Sequence, residues 1–183
     1  MHQDIAEVLI PADRIQARVA ELAHAISAHY GNEKIVLIPL MTGAIVFTAD
    51  LLRHLQGRVR IEILAVSSYP GTATSSQGPR FILPPTFKVT GEHVLIVDDI
   101  LDTGRTLGHV QEWLALQQPA SVRTCVLLTK QLPTSQQLQA DYSGFNIPDE
   151  FVVGYGLDYN GYYRNLPYIG VLHEVVYRSH TTN

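Results

Sequence analysis

The sequence predicts an α/β fold with a central, mainly parallel sheet flanked by helices. Three observations carry this. Continuous aliphatic runs, Ile35-Val36-Leu37-Ile38, Val94-Leu95-Ile96-Val97 and Val122 to Leu128, read as strands buried on both faces. Stretches with helical apolar spacing lie between them, and strand alternating with helix is the signature of a parallel sheet. A cluster of aspartates directly follows the second run, where ligands of such sheets bind.

In chain order, Asp13 to Tyr30 is expected to be an amphipathic helix. Ile15, Val19, Leu22 and Ile26 recur at spacings of three and four, and Gly31 is placed to end it. Lys34 introduces the first buried strand. Met41-Thr42-Gly43-Ala44 is a short turn, Ile45 to Leu55 a helix with Val46, Ala49, Leu52 and Leu55 on one side, and Arg60 to Val66 the next strand. The run from Ser67 to Pro79 is small, polar and rich in breakers. An idle surface loop and an active-site lid fit that composition equally well. After the aspartates, Arg105 to Leu116 is helical, with Leu107, Val110 and Leu114 inward. Phe151-Val152-Val153-Gly154-Tyr155 is expected to be a fourth strand.

Composition excludes more than it selects. The chain has 183 residues, 46% of them hydrophobic and 16% charged, which suits one packed domain over residues 1–183 and argues against disorder. Thirteen Lys and Arg against 17 Asp and Glu give a net charge of −4, with no basic footprint for nucleic acid and no polybasic membrane anchor. The single Cys125 rules out an internal disulfide and a cysteine-based zinc cluster; lying in a buried run, it is expected to be inert packing. The first residues lack a signal-peptide pattern. The low-charge stretch from Ile35 to Ala49 is broken by Pro39 and Gly43 and is too short to span a bilayer. A soluble, cytoplasmic protein is expected. The eight histidines form no metal-binding spacing, and Trp113 and the tyrosine-rich tail read as core or subunit interface.

The chemistry concentrates at Asp98 to Thr106. Three carboxylates within five residues repel one another and lose water beside a buried strand, so a divalent cation, ligand hydroxyls or a protonated base should offset the cost. Asp102-Thr103-Gly104-Arg105-Thr106 then opens a helix. Its first N–H groups and the Thr103 and Thr106 hydroxyls suit a phosphate, and Gly104 permits close backbone approach. Taken one at a time, these residues are equally a helix cap and a solvated turn. Four hydrophobics, two acids and Asp-Thr-Gly-x-Thr together fit a site for a phosphorylated sugar better.

The segment Val94 to Leu107 resembles the phosphoribosyl pyrophosphate loop of type I phosphoribosyltransferases. Val66-Ser67-Ser68-Tyr69 is similar to the start of their lid. Lys130, the segment Phe151 to Tyr159 and Tyr163-Arg164-Asn165-Leu166-Pro167-Tyr168 resemble the hypoxanthine-guanine branch, and the likeness runs from about Ile35 to Leu172. The resemblance implies a type I phosphoribosyltransferase fold, with a small hood from the chain ends and a flexible lid over residues 67–80. It implies transfer of phosphoribosyl from phosphoribosyl pyrophosphate to N9 of hypoxanthine or guanine, assisted by Mg²⁺. By the same resemblance, Asp98 and Asp99 face the ribose hydroxyls and the metal, and Asp102 is the general base near purine N7. Thr103, Gly104, Arg105 and Thr106 hold the 5′-phosphate. Thr42, Gly43, Ser68, Tyr69 and Arg164 serve the pyrophosphate, with Gly71 and Gly78 as lid hinges. Lys130, Phe151, Val152 and Asp158 serve the purine, and Asp158 also holds a second magnesium on the pyrophosphate side. A homodimer or homotetramer with small-molecule substrates and no nucleic-acid or membrane partner is implied.

Two departures stand against the pattern. Thr42 occupies a place where many hypoxanthine-guanine enzymes have lysine, and no basic residue follows Lys130 within Gln131-Leu132-Pro133-Thr134. A xanthine or pyrimidine enzyme and a non-catalytic nucleotide-sensing regulator of the same fold are the competing readings. A receiver-like domain accounts for neither Asp102-Thr103-Gly104 nor the lid.

Overall fold

The computed structural model describes residues 2–67, 80–82, 85–131 and 138–178. In chain order its elements are β1 (Ile5–Ile10), α1 (Ala12–Tyr30), β2 (Lys34–Met41), α2 (Ile45–His54), β3 (Arg58–Ile61), β4 (Leu64–Ser67), β5 (Arg80–Phe81), β6 (His93–Leu101), α3 (Arg105–Ala115), β7 (Ser121–Lys130), β8 (Tyr142–Ile147), β9 (Val152–Val153), β10 (Ile169–Leu172) and α4 (Glu174–Arg178).

The main sheet runs β5-β4-β2-β6-β7-β8, with β3 also paired to β2. Every pairing in it is parallel except β4 with β5. The continuous apolar runs form its centre because each strand there packs on both faces. Alternate residues face opposite sides. Leu37, Leu95, Val97, Cys125 and Leu127 meet Ile15, Val19, Leu22 and Ile26 of α1 and Phe47 and Leu51 of α2. Val36, Ile38, Val94, Ile96 and Val126 meet Leu107, Val110 and Leu114 of α3. Cys125 is fully buried, and burial pushes its thiol far above the usual range, as expected for a packing residue. Trp113 is half-buried against the rings of Phe81 and Phe87.

A second, antiparallel sheet of order β1-β10-β9 joins the two ends of the chain and forms the expected hood. Ile5 pairs with Leu172 and Ile10 with Ile169. Ile5, Val153 and Leu172 make a small core of their own.

Three expectations are corrected. The strand expected from Arg60 to Val66 is split into β3 and β4. Glu62 N–H donates to Leu37 O at 3.1 Å, so residue 37 faces this neighbour and, two residues on, Pro39 faces it too. Pro39 has no N–H to give, and the ladder lapses there. The strand expected over Phe151 to Tyr155 shrinks to Val152–Val153 and belongs to the hood. Gly154, Tyr155 and Gly156 have φ of 101°, 50° and 104°, which no strand accommodates. Asp98 and Asp99, expected on a turn, lie within β6, which continues to Leu101. Asp98 pairs with Val126, Ile100 with Leu128 and Leu101 with Thr129, because β7 is long enough to carry the ladder. Strands β1 and β8 and helix α4 had no counterpart among the expected elements. Ser68, Tyr69, Gly71 and Gly78 of the expected lid, and Leu132 to Thr134, lie outside the described residues.

Edge strand β8 is tied to α1 by Arg18, whose Nε donates to Gly144 O and Nη2 to Ser143 O, both at 2.9 Å. A Cβ on Gly144 would lie 2.3 Å from Leu127 O, so β8 reaches β7 only because residue 144 has no side chain. Gly144→Ala is expected to lower Tm by about 4–8 °C, the equivalent of an overpacking cost of about 2 kcal/mol in a domain of this size. A melt within a degree of the parent would contradict it.

Candidate active site

The site is built at the carboxyl ends of three neighbouring parallel strands. Strand β2 delivers Thr42 and Gly43, β6 delivers Asp98 and Asp99, and β7 ends on Lys130. Helix α3 starts between β6 and β7, with Gly104 as its N-cap residue at φ 76° and no side-chain cap. A Cβ there would sit 3.0 Å from Leu138 Cβ. Asp102 and Thr106 are half-buried in this loop, while Thr103 and Arg105 are exposed. With no side-chain cap, the first N–H groups of the helix are left to a ligand, an arrangement suited to an anion.

Asp98 and Asp99 are half-buried neighbours. Asp99 N–H donates to Asp98 Oδ1 at 3.0 Å, and Ile100 N–H donates to Asp99 Oδ1 at 2.9 Å. Loss of water holds both carboxyls above the usual range, and for Asp98 the Asp99 charge adds to it. The Arg164 guanidinium partly offsets this at Asp99. The enclosure is tightest at Gly43, where a Cβ would fall 1.9 Å from Asp99 Oδ2. Gly43 is therefore required beside the acid, whatever else it does.

The loop after β9 supplies the other wall. Arg164 Nη1 donates to Gly156 O at 2.6 Å, and its Nη2 pairs with Asp158 Oδ1 at 2.7 Å. Asp158 Oδ2 accepts from Gly161 N–H at 2.7 Å. Gly156 packs so closely on the β2 turn that a Cβ would lie 2.3 Å from Gly43 O. The peptide between Met41 and Thr42 is cis. On the opposite side, Lys130 Nζ pairs with Asp149 Oδ1 at 2.8 Å. Phe151 stacks on Tyr177 with ring centroids 5.0 Å apart and meets Tyr159 edge-on at 5.6 Å. At 37% exposure it keeps ring surface open to solvent, whereas Val152 is buried.

The structure thus brings Asp98, Asp99, Gly43 and Arg164 together and lines Asp102 to Thr106 beside them. Asp158 does not join the two acids. Among the described residues no three His, Cys, Asp or Glu side chains cluster as a metal site, and Asp158 is engaged by Arg164 and Gly161. Asp98 and Asp99 offer hard oxygen donors suited to Mg²⁺. Magnesium characteristically takes one or two carboxylates and completes its shell with water and substrate oxygens. A buried, mutually repelling pair fits such a cation. The sequence pattern missed Gly156, Asp149 and Tyr177, since a lone glycine, a loop acid and a tail tyrosine carry no periodic signal.

An open α/β sheet with a glycine-started helix and paired acids at its carboxyl edge defines the class. The family model described as "Phosphoribosyl transferase domain" matches residues 11–160. Over 97% of its length the chain is 40% identical to the hypoxanthine-guanine phosphoribosyltransferase of Streptococcus pneumoniae strain R6, covering 98% of that protein. It is 39% identical to that of Bacillus subtilis strain 168, covering 98% of this chain and 99% of the relative. The solved hypoxanthine phosphoribosyltransferase of Trypanosoma cruzi, a variant complexed with the product IMP, superposes with a TM-score of 0.89 at 37% identity, over 100% of this chain and 99% of that one. The chain belongs to the phosphoribosyl transferase family, and within it to the hypoxanthine-guanine branch.

The raised carboxyls have a stability consequence. An acid whose folded pKa lies above its unfolded value favours folding fully below the unfolded value. That contribution is lost as pH rises through the folded pKa. In metal-free buffer Asp98→Asn, which keeps the acceptor for Asp99 N–H, is expected to raise Tm at pH 7.5. The gain should fade toward pH 4. An equal effect at both pH values would refute the burial argument.

Proposed function

We propose that this chain transfers the 5-phosphoribosyl group of phosphoribosyl pyrophosphate to N9 of hypoxanthine or guanine, giving IMP or GMP and pyrophosphate. The observation that carries the reading is the Asp98–Asp99 pair enclosed by Gly43 beside the 102–106 loop. Relatives named hypoxanthine-guanine phosphoribosyltransferase over nearly the whole chain favour it over a xanthine or pyrimidine enzyme and over a non-catalytic regulator.

In this mechanism the backbone and hydroxyls of Thr103 to Thr106 hold the 5′-phosphate, with Arg105 beside them. Asp98 and Asp99 accept from the ribose 2′- and 3′-hydroxyls and would hold Mg²⁺. When bound, the cation neutralises charge on the leaving pyrophosphate. Arg164, Thr42 and Gly43 bind the pyrophosphate side, where a guanidinium fork matches phosphate oxygens. Lys130 donates to purine O6, Phe151 stacks on the ring, and the Val152 backbone reads the base edge. As N9 bonds to C1′, the C1′–oxygen bond breaks and pyrophosphate leaves with its electron pair. The proton given up at N7 passes to Asp102, and its carboxylate offsets charge developing on the base. Asp158 would hold a second magnesium on the pyrophosphate side. Ser68 and Tyr69 close over the site and exclude water. The cytoplasmic setting and the homodimer or homotetramer belong to the same reading. Among the described residues no helix is long and apolar enough to cross a membrane.

A panel of hypoxanthine, guanine, xanthine and uracil with phosphoribosyl pyrophosphate and Mg²⁺, read by pyrophosphate release, tests the reading. Release is expected with the first two, and activity on uracil alone would overturn it. Asp102→Ala is expected to lower kcat by about two to four decades, the usual scale for a general base, with much smaller changes in KM. Unchanged kcat would remove Asp102 from that role.

A further inference from the structure

Outside the residues assigned above, Asp50 gathers a polar network that ties α2 to the loop after β9. Asp50, on α2, accepts the Tyr155 hydroxyl at Oδ2 at 2.7 Å, Gln16 Nε2 at the same oxygen at 3.0 Å, and Arg53 Nη1 at Oδ1 at 2.7 Å. Tyr155 is 3% exposed and sits at φ 50° between Gly154 and Gly156, a left-handed backbone that a bulky residue adopts only when its surroundings hold it there. Burial, and then the Asp50 carboxylate, push its phenol far above the usual range, so it remains a donor.

The place of this bond in the fold gives it a consequence. Asp50 is one helical turn into α2, and α2 begins directly after the Thr42-Gly43 turn. Tyr155 N–H donates to Leu166 O at 2.8 Å, and Gly156 N–H to Arg164 O at 3.0 Å, so the Tyr155 backbone frames the arginine segment. Gly156 in turn presses on Gly43 O and accepts from Arg164 Nη1. We propose that the Tyr155–Asp50 hydrogen bond is a clamp that fixes the distance between the Thr42-Gly43 turn and the Asp158–Arg164 loop, making both residues positioning residues for pyrophosphate. The inference rests on the functional reading above. The purine side has contacts of its own, Lys130 with Asp149 and Phe151 with Tyr177, and meets the clamped loop only through the edge of Tyr159, so the clamp acts on pyrophosphate more than on the purine.

Steady-state kinetics of the full chain, varying each substrate in turn, tests it. Tyr155→Phe is expected to raise KM for phosphoribosyl pyrophosphate about 5- to 30-fold, a part of the roughly 10- to 150-fold that one hydrogen bond to a charged group is worth, while KM for hypoxanthine changes less than about twofold. Asp50→Asn, which keeps an acceptor, is expected to stay within about threefold of the parent, and Asp50→Ala to match Tyr155→Phe. The double variant Asp50→Ala with Tyr155→Phe should be no worse than either single one, because both remove the same bond. Parallel rises in both KM values, or additive effects, would overturn the clamp. If Tyr155→Phe does not fold, Asp50→Ala carries the same contrast. Calorimetric binding of inorganic pyrophosphate with Mg²⁺ separates the two ideas. A parent chain that binds it without turning over any purine sinks the activity, and the clamp then stands or falls on whether Tyr155→Phe weakens that binding. A parent that does not bind it sinks both.

Discussion

The structure turns on two adjacent carboxylates held at the end of a central strand. Strand β6 is paired with β2 as far as Val97 and with β7 as far as Leu101, so the ladder to β7 fixes the backbone on either side of the acids. Their side chains must face the site from half-buried positions, each carboxyl held above its normal range. Such an arrangement weakens the free protein and is retained where something positive or hydrogen-bonding arrives to relieve it. Arg164 relieves it in part. A phosphoribosyl substrate with its cation would complete the relief, so binding and the correction of an electrostatic fault become the same event.

Enclosing the acids constrains the chain around them. Gly43 lies where any Cβ would strike Asp99, and Gly156 where any Cβ would strike Gly43 O. Two glycines from segments more than a hundred residues apart are therefore stacked behind one carboxylate. This contact explains why the loop after β9 leaves the hood so abruptly. Its three successive positive φ values turn the chain back onto the β2 turn within one residue of Val153. The hood follows from the same demand, because β1 and β10 anchor that loop's far end.

How legible this was depends on the range of the interaction. Helices α1, α2 and α3 and the centres of β2, β6 and β7 announce themselves through apolar periodicity, which is local, and the phosphate loop through its close spacing of acids, hydroxyls and glycine. The extension of β6 past Val97 was hidden because Asp98, Asp99 and Asp102 look like a polar turn; only the length of the neighbouring β7 keeps them in register. Strand β1 was invisible because its partner, β10, lies some 160 residues away. The break between β3 and β4 belongs to a proline on a different strand. The tyrosine at position 155 reads as a strand residue by composition, and nothing adjacent in sequence reveals its bond to Asp50.

One departure from the family pattern, Thr42, acquires a structural meaning from this layout. Thr42 brings no charge to the β2 turn, so among the residues assigned to pyrophosphate in the described structure the fixed cation is Arg164, itself already shared with Asp158 and Gly156 O. A single shared guanidinium is effective only if its fork is held in place, since a misplaced arginine forfeits the paired geometry that makes it better than a point charge. The packing of Gly156 against Gly43 and the Asp50 network supply that fixity from behind. On the purine side, by contrast, Lys130 keeps an acid at 2.8 Å and Phe151 an aromatic neighbour on each of two ring directions. The chain thus compensates for a lost positive charge with rigidity on the side where charge is scarce, and leaves the purine side to be steadied by side chains of its own.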